Sequence, residues 1–113
     1  MSRALLYSLV LLGFFLAASG TPSSARVPAE PAQTDVKIDN FTMAPQAITV
    51  SVGTSVRWTN ADDIPHTVVS EDHTFKSMVM DTGEQFSHTF SSAGTYKYFC
   101  SIHPKMTGTI VVK

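Results

Sequence analysis

Cys100, His103 and Met106 stand at regular intervals of three in the segment Tyr98-Phe99-Cys100-Ser101-Ile102-His103-Pro104-Lys105-Met106, and a second imidazole, His66, follows Pro65 upstream. One thiolate, two imidazoles and one thioether make up the donor set of a one-electron copper site. Each type has a separable job. A soft, anionic thiolate binds both Cu(I) and Cu(II) and donates charge to the oxidised metal, while imidazoles suit either state. The thioether is a weak axial ligand whose strength tunes the reduction potential. One copper ion held by His66, Cys100, His103 and Met106 is therefore the chemistry to expect.

Blander readings exist for every one of these residues. A lone cysteine is most often a small buried hydrophobe, His103 alone would serve as a loop residue, and Met106 alone would fill a core. Their joint spacing, with an upstream Pro-His, argues against coincidence. Structural zinc prefers Cys and His without Met. A nucleophilic Cys100 with a His base would need a pocket and an oxyanion-binding loop, and neither is suggested in so short a domain, so no enzymatic activity is expected. Met43, Met78, Met80 and His73 could form a second thioether site, but one buried Met and one at the sandwich edge is the simpler expectation. His73 and His88 lack partners and are expected on the surface or on a strand face. Trp58, Tyr96 and Tyr98 are expected in the core. The pairs Asp62 with Asp63, and Glu71 with Asp72, are expected to be solvated loops.

Such donors must be brought together by strands. After residue 34 no stretch keeps a helical apolar period; β-branched and aromatic runs alternate between turn signals instead. The runs are Val36 and Ile38; Ile48, Val50 and Val52; Val56, Trp58 and Asn60; Val68 and Val69; Phe86, His88 and Phe90; Tyr96, Tyr98 and Cys100; Ile110 and Val112. About seven to eight strands at this spacing predict a single all-β domain, an antiparallel sandwich. Residues 72–83 are the least regular and are expected to be a loop with one helical turn. Cys100 would end a strand, and the turn after it would return His103 and Met106 to the same point. His66 would arrive from a neighbouring strand.

The chain has 113 residues, of which 43% are hydrophobic and 15% charged. That apolar share excludes a disordered chain, and the low charge excludes a coiled coil. Eight basic and nine acidic residues leave no electrostatic footprint for nucleic acid. A single cysteine excludes an internal disulfide, the usual support of a small exported domain. Residues 1–20 read as a Sec-type signal peptide: Arg3, an apolar run from Leu5 to Ala18, then the small residues Ala17 to Gly20. Residues 21–34, with Pro22, Pro28 and Pro31, read as a flexible linker, and residues 35–113 as the domain. A periplasmic monomer without stable membrane insertion follows from that reading. An unpaired exported thiol is a liability unless something occupies it.

The sequence resembles the cupredoxins, and among them the amicyanin and plastocyanin group. Phe41 and Pro45, Val52-Gly53, Val56-Arg57-Trp58-Thr59-Asn60, Pro65-His66, Ala93-Gly94-Thr95-Tyr96 and Cys100 through Gly108 carry the likeness, and the short C-x-x-H-x-x-M loop is similar to that of amicyanin. The resemblance implies a Greek-key sandwich of eight strands and a type 1 (blue) copper ion on the four residues named above. It also implies electron transfer between redox proteins, such as a dehydrogenase and a c-type cytochrome. These would dock at an apolar patch around His103 formed by Ile64, Pro65, Ile102, Pro104 and Met106, with Lys105 beside it. A module that buffers or delivers copper would use the same ligands and is the alternative. Thr67 stands where this group usually has Asn after the first His, which bears on the rigidity of the ligand loop.

Overall fold

The computed structural model describes residues 32–113. The leader expected over residues 1–20 and most of the expected linker lie outside the described residues. Gln33 and Thr34, grouped with the linker for their composition, already belong to the first strand. Backbone pairing with Ser55 and Val56, rather than any apolar side chain, recruits them.

Eight strands follow in order: β1 (Gln33–Asp39), β2 (Thr42–Ala44), β3 (Ala47–Val50), β4 (Ser55–Asn60), β5 (Val69–Ser70), β6 (Gln85–Thr89), β7 (Gly94–Phe99) and β8 (Thr107–Val112). They form two four-stranded sheets, ordered β2-β1-β4-β6 and β3-β8-β7-β5. The sandwich is not wholly antiparallel as expected: β1 runs parallel to β4, and β3 parallel to β8. Parallel neighbours need a crossover between them. Here β3 supplies one, because the chain leaves the first sheet after β2, pairs in the second, and returns as β4.

Period-two alternation sets the core. In β4, Val56, Trp58 and Asn60 point inward and alternate with half-exposed residues. Trp58 is fully buried and packs against Phe75, Phe86 and Tyr98 at centroid distances of 5.4–5.7 Å. Tyr98 is buried, whereas Tyr96 is half-buried against the core and donates its hydroxyl to the Ser92 carbonyl. Asn60, fully buried, is the polar exception at the end of β4. Its Nδ2 donates to the carbonyls of Ile64 and Met80, and its Oδ1 accepts from the Asp62 amide. One side chain thus shapes the loop that delivers His66.

No helical turn occurs in residues 72–83. The Thr74 amide donates to Asp72 Oδ1 and the Phe75 amide to Ser70 Oγ, so side chains take backbone groups that a helix would need. The segment instead makes isolated bridges, His66 with Met80 and Val69 with Lys76.

Candidate metal centre

β7 ends at Phe99, and the next residue, Cys100, begins a loop closed by its own backbone. The Cys100 amide donates to the Met106 carbonyl at 3.0 Å, and the Met106 amide to the His103 carbonyl at 2.9 Å. From the other side, β5 pairs with β7 through Val69 and Phe99, and His66 is fixed by reciprocal backbone bonds with Met80. The two ligand segments therefore meet at one end of the sandwich.

Nδ1 of His66 lies 3.7 Å from Cys100 Sγ, and Nδ1 of His103 lies 3.9 Å from it. All three donor atoms fall within 4.8 Å of one another. A metal bonded to sulfur at about 2.3 Å and to imidazole at about 2.0 Å, with a trigonal angle, sets sulfur and nitrogen about 3.7 Å apart. The spacing fits. His66 and Cys100 are fully buried, and His103 is half-buried. Met106 is buried and lines, with His103, the depression described below.

Cys100 is also prepared as an anion. Burial pushes its thiol up. Amide donors from Thr67 and the His103 backbone, with the Thr67 hydroxyl, work against this, and the thiol comes down to about 6. Thr67 takes part twice, through its amide 3.4 Å from Sγ and its hydroxyl 3.7 Å from it.

Two site residues fall outside the expected set. Asp62 is not a solvated loop residue: only 8% exposed, it places Oδ2 2.9 Å from Nε2 of His66. The acid-to-His spacing of four was its only sequence signal. Phe41 sits on the β1–β2 turn with its ring edge-on to both His66 and His103, at 5.8 and 5.2 Å. With Ile102, His103, Pro104, Lys105 and Met106 it lines an open, mostly apolar depression of about 460 Å³. Ile64 and Pro65, expected in the same patch, do not line it.

A family model described as a cupredoxin-like domain matches residues 8–112. The chain is a cupredoxin. An amicyanin-alpha from Methylorubrum extorquens is 30% identical to it over 122 aligned positions, spanning 98% of this chain and 99% of that protein. A plastocyanin from Scenedesmus fuscus is 33% identical over 82 positions, with 61% of this chain and 84% of that one covered. Among solved structures, a purple cupredoxin from Nitrosopumilus maritimus superposes with a TM-score of 0.68 at 35% identity, over 73% of this chain and 99% of that one. The cupredoxin accordingly has a centre for one type 1 copper ion, and its sulfur and nitrogen donors are spaced for it.

Other candidates of the cupredoxin stand apart from this centre. Met43 and Met80 are buried in the core while Met78 is 85% exposed, so no thioether cluster forms. His88 is half-buried against Phe75 and Phe90, and burial lowers its pKa. His73 is exposed in a turn. Glu71 and Asp72 are exposed, as expected of a solvated loop.

Proposed function

We propose that this cupredoxin is an exported carrier of single electrons between redox proteins, with His66, Cys100, His103 and Met106 as its copper ligands. The observation that carries this reading is a sealed thiol beside an imidazole that reaches the surface. Cys100 is fully buried, whereas His103 is half-buried under an apolar depression. Copper, when bound, supplies the one-electron couple.

The chain's own residues do the rest. Cys100 and Met106 are held by one short backbone-bonded loop and His66 by a bridge to Met80. Donors fixed in this way have little to rearrange between oxidation states, and small rearrangement is what fast transfer needs. Phe41, Ile102 and Pro104 would keep water from copper held beside His103, and they make the open depression there an apolar surface for weak, brief docking. The same burial denies a substrate access to the thiol, which speaks against Cys100 as a nucleophile. Type 1 carriers of the amicyanin kind pair with a dehydrogenase as donor and a c-type cytochrome as acceptor, and partners of those classes are proposed here. Export to the periplasm rests on the leader-like residues 1–20 and on an unpaired thiol that a metal would occupy.

Mixing the reduced, copper-loaded protein with an oxidised c-type cytochrome, and separately with a Cu(I) chelator, separates carrier from delivery module. The carrier reading expects rapid oxidation by the cytochrome with copper retained against the chelator. Slow oxidation with ready loss of copper would instead support delivery.

A further inference from the structure

Asp62 lies four residues before His66, and its main chain is fixed at both ends. Its amide donates to Asn60 Oδ1 at 2.9 Å, and its carbonyl accepts from the Thr82 hydroxyl at 2.6 Å. Its side chain is just as constrained. Oδ2 accepts the Phe41 amide at 3.1 Å, and Oδ1 accepts the Asp63 amide at 3.2 Å. Both oxygens are thus acceptors of amide protons. Nε2 of His66, 2.9 Å from Oδ2, must then be the donor in that contact. A neutral imidazole protonated at Nε2 presents its lone pair at Nδ1, and Nδ1 is the atom 3.7 Å from Cys100 Sγ.

We infer that Asp62 is a positioning residue of the copper centre: it holds His66 in the tautomer that offers Nδ1 to the metal, and it stations a negative charge behind that ligand. The charge favours the more positive, oxidised metal and so lowers the reduction potential. The same oxygen anchors a second feature. Phe41 has a left-handed backbone (φ 58°), which is costly for a bulky residue and persists where surroundings over-determine it. The hydrogen bond from its amide to Asp62 Oδ2 is one such restraint, and its ring stands edge-on to His66 and His103. One carboxylate oxygen therefore orients the first imidazole and seats the aromatic cover of the second. Partners of this outer kind typically contribute 10–100-fold to metal affinity or activity.

The inference rests on His66 being a copper ligand, and the test separates the two claims. Asp62→Asn keeps the shape and an acceptor oxygen but removes the charge; Asp62→Ala removes both. In the metal-free protein, nitrogen NMR of the His66 ring should find the proton on Nε2 in the wild type and in Asp62→Asn, and a mixture of tautomers in Asp62→Ala. In the copper-loaded protein, Asp62→Asn should raise the potential by at least a tenfold change in the reduction equilibrium, which is about 59 mV for one electron. A wild-type proton on Nδ1, or an unchanged potential in Asp62→Asn, would overturn the inference. Failure of the ligand assignment would show differently: the wild-type copper spectrum would be insensitive to loss of His66, whatever the tautomer.

Discussion

The Thr67 hydroxyl accepts the Ser101 amide at 2.7 Å and so ties the segment carrying His66 to the loop carrying Cys100 and His103. Ser101 Oγ lies at the same distance from it. A side chain shorter than the Asn usual in this group thus still spans the gap, because Ser101 comes to meet it. Thr67→Val keeps the shape and removes the tie, leaving the Ser101 amide unpaired. The metal-free variant should lose about 1–3 kcal/mol in urea unfolding. Its copper form should have a lower potential, since the thiolate loses a donor that stabilised its charge. Thr67→Ser should retain most of both. Equal stability of Thr67→Val and wild type would rule this role out.

Tyr98 pairs across the sheet with Gly108, and its ring lies over the glycine. A Cβ there would overlap Cζ and the hydroxyl oxygen of that ring. Gly108→Ala should therefore destabilise by about 1–3 kcal/mol as the packed ring is displaced. A double-mutant cycle with Tyr98→Leu checks the cause, and the two losses should be less than additive. Full additivity would mean that the ring is not the obstacle.

Because Cys100 titrates near 6 in the fold and near 8.5 in an unfolded chain, stability and pH are linked in the metal-free protein. The folded pKa is the lower one, so this contribution is complete above the unfolded pKa and disappears as pH falls towards 6. Ultraviolet thiolate absorbance should show a midpoint near pH 6, and urea midpoints should rise with pH from there to about 8.5. A thiol midpoint at the unfolded value would contradict the hydrogen bonding assigned to the Thr67 amide and hydroxyl.

Removing the metal should cost the folded state stability by mass action. At a free copper concentration one hundred times the dissociation constant the gain is about 2.7 kcal/mol, which for a domain of this size raises Tm by roughly 10–20 °C. Thermal melts with and without copper measure it. Cys100→Ser, which keeps the loop but replaces the thiolate, should lose most of the shift. If Cys100→Ser keeps all of it, copper is bound elsewhere.

How much of this could be read beforehand depended on distance along the chain. Cys100, His103 and Met106 announce themselves because one loop holds them at fixed spacing, and His66 because it opens a strand-like run. Most strands were legible from β-branched alternation. β2 was not, since its three residues bury only Met43. The parallel pairings were hidden as well, because they join residues about twenty or more positions apart through a crossover that no local pattern marks. Asp62 looked like any surface acid until the Asn60-ordered loop folded it under His66. Phe41 gained its place by the imidazoles from a two-residue turn in which Asn40 and Phe41 both take positive φ, a conformation for which an aromatic gives no signal.

The visible absorption spectrum of the full chain, loaded with Cu(II), reduced with ascorbate and reoxidised, tests the central claim most directly. A thiolate–copper centre built on Cys100 predicts an intense charge-transfer band that bleaches on reduction, returns on oxidation and is absent in Cys100→Ser. Folded, thiol-reduced protein that takes up copper without such a band, or a band that survives in Cys100→Ser, would contradict it.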